Sequence, residues 1–208
     1  MPRGILIRAA QTVLFAVILS ASAGAERAAA SLITLIHEGS AGGTLDGMPF
    51  SGAFTITATG DVADVEVLDP VLGNGVFLLH DTATIDIVGG TFDILTESYT
   101  LVNNTLERVT FDVLNVPFPG GPLPMTAFSG PADAVFQSYG LTTSIGPVAG
   151  SGTVFNLSNP IDTSGGALFF DAGSTDARFT AVIPLPAALP LFAAGLAALG
   201  FLGRRRGS

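Results

Sequence analysis

The chain contains no cysteine, no tryptophan and no lysine. Without cysteine, no disulfide can staple the fold, and no thiol can serve as a nucleophile or a metal ligand. Without lysine, the basic residues between positions 31 and 182 are Arg108 and Arg178 alone, against sixteen acidic residues, a formal net charge of −14. Such a surface repels phosphate backbones and argues against a nucleic-acid partner, while it favours the solubility of a β-rich chain.

Aromatic side chains that stack on sugars are also scarce. The chain has only Tyr99 and Tyr139 besides phenylalanine, whereas flat rings with a polar edge are well suited to sugar sites. The fifteen phenylalanines are better explained as core residues. The composition therefore gives little direct support to a carbohydrate-binding site.

Histidine occurs only twice, and each histidine is followed by an acid. His37-Glu38 and His80-Asp81 both fall at predicted strand ends. Neighbours on a strand point to opposite faces, so neither pair forms a base with its orienting acid. No Gly-x-Ser-x-Gly elbow and no metal-binding histidine pair accompanies them. We therefore expect partly exposed histidines, no catalytic residue and no enzymatic activity.

The middle of the chain is rich in Gly, Thr, Ser, Val, Ile and Phe, and its apolar residues alternate with a period of two. Phe54, Ile56 and Ala58 alternate with threonines, and residues 62–67 repeat the pattern with carboxylates outward. Further predicted strands are 32–37, 75–79, 82–88, 91–95, 99–102, 106–113, 134–137, 152–157, 167–171 and 177–182. Turn signals such as Asp46-Gly47 separate them. This spacing predicts an all-β fold, a single antiparallel β-sandwich or jelly-roll-like domain.

A proline-rich stretch at residues 117–124 interrupts the alternation. Its proline density is incompatible with a central strand. We interpret it as a long exposed loop within one domain, because neither flanking half is evidently large enough to form a domain alone. A linker between two small domains is the alternative.

Asp61, Asp64, Glu66 and Asp69 form the densest group of carboxylates. Carboxylate oxygens are ligands for calcium, but their spacing does not match an EF-hand loop. The same acids could form a glycosidase pair, which requires two carboxylates facing each other across a cleft. The simplest interpretation is a solvated strand face, and calcium is the one cofactor that the sequence suggests.

The N-terminal residues 1–25 have the features of a secretory signal peptide. Arg3 and Arg8 supply the positive start, and residues 9–19 are mostly apolar. Ala23-Gly24-Ala25 fits a small-residue cleavage site, and a second candidate lies at residues 28–30. An uncleaved N-terminal anchor is the alternative.

The C-terminal residues carry the most specific pattern in the chain. An uncharged run that reaches Gly203 opens with the motif Ile183, Pro184, Leu185, Pro186 and Ala187. The run precedes Arg204, Arg205 and Arg206. A helix over residues 183–203 would measure about 31 Å, enough for a bilayer core, whereas one that begins at Pro190 would measure only about 21 Å. The arginines should stay cytoplasmic. An ordinary C-terminal anchor is the alternative.

This layout resembles the PEP-CTERM sorting signal, and more closely its variant Val-Pro-Leu-Pro-Ala, with Ile183 here in place of valine. The resemblance covers residues 182–208. It implies processing by an exosortase, a membrane-embedded cysteine protease-transpeptidase of Gram-negative bacteria that make exopolysaccharide. It further implies transient anchoring in the inner membrane, then removal of the anchor and a final place on the cell surface or in the extracellular matrix. It implies nothing about what the rest of the chain binds.

The sequence thus predicts a signal peptide (1–25), a β-rich body (26–182) and a sorting signal (183–208). The leading hypothesis is a non-enzymatic surface or matrix protein, sorted by an exosortase and associated with exopolysaccharide in a biofilm. The alternative is a calcium- or carbohydrate-binding β-sandwich module. A glycoside hydrolase that uses two carboxylates is the third possibility.

Overall fold

The computed structural model describes residues 32–68, 74–87, 89–116 and 123–184. Leu32–Ile183 form one compact unit. Its strands are β1 (Leu32–Leu45), β2 (Met48–Asp61), β3 (Glu66–Val67), β4 (Gly75–Leu79), β5 (Thr82–Ile87), β6 (Gly90–Asp93), β7 (Ser98–Asn103), β8 (Arg108–Val116), β9 (Leu123–Ala132), β10 (Ile145–Val154), β11 (Ile161–Thr163), β12 (Gly166–Phe170) and β13 (Gly173–Val182).

All described strand pairs are antiparallel, and they form one continuous sheet that curls into a half-barrel. The order along the sheet is β3-β4-β7-β8-β9-β10-β13-β1-β2-β5-β6. The end of β1 also pairs with β12, which pairs with β11. A single bridge from Ile94, the residue after β6, to Thr163 connects the β6 end of the sheet to β11. The all-β, antiparallel part of the prediction is therefore confirmed.

The β1–β2 hairpin is the longest pairing and follows directly from local sequence. Asp46 and Gly47 between the strands have φ angles of 49° and 77°, as a type I′ turn requires. In β2, Phe54, Ile56 and Ala58 are buried while the threonines between them are partly exposed. The period-two prediction is confirmed here, and it sets which face of the sheet curls inward.

The inward face holds two groups of buried apolar side chains. The larger cluster centres on β2, β5 and β8 and includes Phe54, Ile56 and Phe111. The smaller cluster includes Leu35 and Phe179 together with side chains from β4 and β7. Both clusters receive side chains from β8 and β13, so the core of the half-barrel runs along these shared strands from one cluster to the other.

Two predicted strands have a different structure. Residues 134–137 form a 3-10 helix, whose first turn is capped by the Asp133 carboxylate accepting from the Val135 amide. Within 62–67, Val62–Asp64 is also a 3-10 helix, and only Glu66–Val67 is a strand. In each case an aspartate that precedes the segment satisfies the free amide of a tight helical turn, a local bond that competes with strand pairing.

Strands β9 and β11 were not predicted. β9 contains Pro124 and Pro131, and proline within a run argues against a sheet interior. Both prolines lie at interruptions of the β8–β9 register: Pro124 at the shift between Leu114 and Val116, and Pro131 at the shift between Arg108 and Thr110. Such irregularities are where a strand tolerates a residue without an amide proton. β8 and β9, which flank residues 117–122, are antiparallel neighbours in the same sheet.

Several predictions lie outside the described residues: the signal peptide, Asp69, the motif residues Leu185, Pro186 and Ala187, the apolar run that follows them, and Arg204, Arg205 and Arg206. Within the described ranges, no helix has both the length and the apolar character needed to span a bilayer.

Candidate functional site

The fold brings both histidines of the chain together inside the half-barrel. His37 lies in the middle of β1, and His80 follows the last residue of β4. Between them stands Thr100 of β7, which is directly opposite Leu78 of β4 and has no exposed surface. A chain of side-chain hydrogen bonds therefore crosses the core at the boundary between the two apolar clusters.

The hydrogen-bond distances define a linear polar chain of four residues. Nε2 of His37 lies 3.0 Å from Oγ1 of Thr100, and Nε2 of His80 lies 2.9 Å from the same oxygen. Nδ1 of His80 lies 3.0 Å from Oγ of Ser98. His37, Thr100 and Ser98 are all buried, and His80 is partly buried. We call this set the polar chain.

One set of proton positions satisfies the polar chain best. The Thr100 hydroxyl has one proton, so it donates to one histidine and accepts from the other. Nδ1 of His37 is buried and has no hydrogen-bond partner within the described part of the chain. An unpaired acceptor is tolerated better than an unpaired donor. We therefore place the His37 proton on Nε2, donating to Thr100, which donates to His80, which donates to Ser98.

Aromatic rings surround the two imidazoles. Phe179 and Phe111 lie 5.0 Å and 5.8 Å from the His37 ring, measured between centroids, and the ring of His80 stacks on Phe111 at 5.5 Å. Burial lowers the pKa of both His37 and His80 to about 3, and His80 adds a smaller lowering of the pKa of His37. Both rings are therefore neutral at ordinary pH.

The chemistry open to the polar chain is limited by its neutrality. Ser98 and His80 have the separation of a nucleophile and its base. The far nitrogen of His80, however, meets a threonine hydroxyl and not a carboxylate, so nothing there stabilises an imidazolium. Ser98 is also only 3% exposed. The arrangement is suited to fastening β1 and the end of β4 to β7, because His37 and His80 both bond to side chains of β7.

The expectation of a partly exposed, strand-end His37 was wrong. β1 continues to Leu45, and His37 is fully buried. A signal was present in the sequence: His37 continues the alternation of Ile33 and Leu35 and so belongs on their face of the strand. The convergence of His37 with His80 and Thr100 depends on strand pairing across distant segments, which the alternation does not encode.

A second buried polar group lies on β8, on the opposite side of the strand from Phe111. The Asp112 carboxylate accepts hydrogen bonds from the hydroxyls of Thr110 and Thr126, the latter at 2.5 Å. Burial raises the pKa of Asp112 despite these two donors, which act in the opposite direction. Burial and then the nearby Asp112 charge raise the pKa of Tyr99. No motif or periodicity in the sequence predicted this group.

The predicted acidic cluster does not converge on a site. Asp61 caps the 3-10 helix, its carboxylate accepting from the Ala63 amide at 2.8 Å. Asp64 and Glu66 are exposed and do not share one face of an extended strand, because the helical turn separates them. Among residues 32–68, 74–87, 89–116 and 123–184, no three His, Asp or Glu side chains are placed to hold a metal ion.

The beginning of the predicted sorting motif is part of the described structure. Ile183 follows β13 directly, its side chain packs against the smaller cluster, and its amide donates to Oγ of Ser144 at 2.9 Å. Pro184 is exposed. The compact unit therefore ends within the motif itself.

Neither a protein-family model nor a curated protein matches this chain.

Proposed function

We propose that this chain is an exported, non-enzymatic surface or extracellular-matrix protein that an exosortase sorts and processes at residues 183–208. The observation that carries the proposal is the position of the motif relative to the fold. The last strand ends at Val182 and the motif begins at Ile183. Cleavage within the motif would leave every described strand in place, as release of an intact body requires.

The distribution of charge supports a body whose surface is well hydrated. Exposed carboxylates occur on many turns and strands of the half-barrel, including Asp64, Asp86, Asp133 and Asp176. In the described residues the one ion pair joins Arg178 to Glu38 at 3.8 Å, and both of its side chains are exposed. The resulting excess of negative charge favours solubility and keeps copies of a β-rich protein apart.

The buried polar groups support a body without catalytic chemistry. The polar chain is neutral, and its members are bonded to one another between strands. Asp112 is likewise bonded to two threonines of its own sheet. We keep the sandwich- or jelly-roll-like description of the body within this proposal, because the curled sheet packs one of its faces on itself.

The alternatives retain less support. A calcium site needs several converging oxygen ligands, whereas Asp61 is engaged in a cap and Asp64 and Glu66 are exposed on a turn. A glycosidase pair needs two carboxylates across a cleft, and the same residues are its best candidates. Neither alternative has a specific observation in its favour.

The test is the intact mass and the location of the protein in a host with an exosortase and in the same host without it. We expect loss of the tail near residues 183–208 only when the enzyme is present, with the body in the extracellular fraction. Pro186→Ala should reduce the loss, whereas Pro49→Ala, at an exposed position of β2, should not. A full-length, membrane-held chain in both hosts would overturn the proposal and leave an ordinary anchor.

A further inference from the structure

No spacer separates the folded sheet from the sorting motif. Val182 still pairs with Thr34 of β1, and Ala181 pairs with Leu35 of β1 and with Ile145 of β10. β13 therefore stays paired with β1 up to its last residue. The motif begins at the next position, so its first residue leaves the sheet from a central strand.

Ile183 is itself held by the half-barrel through two contacts. The Ile183 amide donates to the hydroxyl of Ser144, which immediately precedes β10, at 2.9 Å. This bond extends the contact between β10 and β13 beyond the end of β13, with a side chain in place of a carbonyl. The Ile183 side chain is partly buried against the smaller cluster. The amide and the side chain of the first motif residue are thus both occupied.

This occupation competes with recognition by an enzyme. Extended peptide segments are commonly recognised as an added strand, through their main-chain amides and through pockets for alternate side chains. Pro184 and Pro186 have no amide to donate. Ile183 and Leu185 are therefore the first motif residues that offer an amide, and the Ile183 amide is already bonded to Ser144.

The motif is also too short to extend far from the folded body, so an enzyme cannot bind it at a distance from the contacts of Ile183. Five extended residues, 183–187, span at most about 18 Å. A folded unit of this length has a radius of gyration of about 15 Å. An enzyme that engages the motif must therefore work close to the surface of the half-barrel, and release of Ile183 would give it one more residue of free chain.

We propose that the folded body restrains its own processing, with Ile183 docked on Ser144 and the smaller cluster as the restrained state. The exosortase then acts on the fraction of molecules in which Ile183 has detached. This inference rests on the proposed function and adds a regulatory contact to it. Ser144 is a positioning residue here, since it acts only through the motif.

The experiment is a pulse-chase measurement of tail loss for the full chain in cells with the exosortase. Ser144→Ala should accelerate processing about fivefold, the factor expected from loss of one hydrogen bond worth about 1 kcal/mol. Inserting Gly-Ser-Gly-Ser between Val182 and Ile183 should accelerate it at least as much, because the motif is then displaced from both contacts.

Two matched variants separate this contact from general effects. Ser144→Thr keeps a hydroxyl and should process at the native rate. Ser158→Ala removes another exposed serine, between β10 and β11, and should also leave the rate unchanged. Thermal unfolding of each variant shows whether the half-barrel is intact. This control is needed because unfolding of the body would expose the motif even if Ser144 had no role in processing.

A readout that needs no enzyme tests the contact itself. The Ile183 amide should be protected from hydrogen exchange in the native chain and lose protection in Ser144→Ala. Equal processing rates for the native chain, Ser144→Ala and the insertion would overturn the restraint while leaving the sorting proposal intact. Tail loss in none of the chains would overturn the sorting proposal and the restraint together.

Discussion

The polar chain places two titratable side chains, His37 and His80, among apolar rings. The free energy of unfolding therefore depends on their protonation. His37 and His80 have pKa values lowered to about 3 in the folded state, whereas an unfolded histidine has a pKa of about 6.5. Below pH 6.5 the unfolded chain therefore binds protons that the folded chain does not. The stabilising neutral form is fully available above pH 6.5 and is lost as the pH falls towards 3.

We predict that the free energy of unfolding decreases as the pH is lowered from about 6.5 to 4. The slope should be up to about 1.4 kcal/mol per pH unit for each histidine. The measurement is urea denaturation at several pH values. His37→Phe should remove one histidine's share of the slope. Asp81→Asn, an exposed neighbour of His80, serves as the control and should keep it. An unchanged slope in His37→Phe would show that His37 is not a source of the acid sensitivity.

Asp112 should act with the opposite sign. Its pKa is raised in the folded state, chiefly by burial, so the folded chain takes up a proton before the unfolded chain does, and acidification favours folding at this site. We predict that Asp112→Asn, which keeps an acceptor for Thr110 or Thr126, stabilises the protein at about pH 7.5. The gain should shrink near pH 4. A fall in melting temperature at the higher pH would mean that the hydroxyl bonds outweigh the burial of the charge.

Among the individual elements, the β1–β2 hairpin depends most clearly on a single residue. Gly47 has a φ of 77°, and a Cβ added there would meet no atom within 4 Å. Gly173 has equally open surroundings without a positive φ. The two glycines therefore differ in backbone conformation and not in available space.

We predict that Gly47→Ala lowers the free energy of unfolding by about 1–2 kcal/mol, because an L-residue is disfavoured in the left-handed region. Gly173→Ala should change it by less than about 0.5 kcal/mol. Chemical denaturation of both variants is the measurement. Equal effects of Gly47→Ala and Gly173→Ala would mean that the turn tolerates a side chain at position 47 and that stability does not depend on the left-handed backbone of Gly47.

The elements also show which information the sequence carries and which it does not. β4 was predicted with its observed bounds, Gly75–Leu79, and the threonines of β2 marked the partly exposed face. Residues 134–137 were predicted as a strand because apolar content alone does not reveal that Asp133 caps a helical turn. β9 was missed because its two prolines argue against a strand wherever the neighbours are unknown. Local patterns thus predict strands, while caps and tolerated prolines depend on what lies beside them.

The candidate site is harder to predict from the sequence than the fold is. Alternation with Ile33 and Leu35 is enough to place His37 inside, but the partner of its Nε2 is Thr100, 63 residues away. That contact exists only because β4, β7 and β1 face one another in the curled sheet. Pairing order is a property of the whole molecule, and no single segment specifies it.

For the whole molecule, the arrangement of the sheet makes the last strand a central one. β13 lies between β10 and β1, and its side chains Phe179 and Ala177 belong to different apolar clusters. Removing β13 would therefore leave two unpaired strand edges and open both parts of the core.

We predict that a chain ending at Val182 unfolds cooperatively, because all described strands are retained. A chain ending at Ala172, which lacks β13, should show no cooperative transition and should expose apolar surface. Circular dichroism during heating, with a dye that binds apolar surface, distinguishes the two. A cooperative transition in the shorter chain would mean that β10 and β1 can close the sheet without β13.

The central place of β13 also determines when the protein can mature. Strand β1 is synthesised first and β13 last, yet Thr34 and Val182 are paired neighbours. During the export proposed above, the middle of the sheet can form only after nearly the whole polypeptide has crossed the membrane. A product that lacks β13 would leave the edges of β10 and β1 unpaired, and unpaired strand edges favour aggregation. The order of strands thus makes formation of the sheet depend on delivery of the chain through Val182.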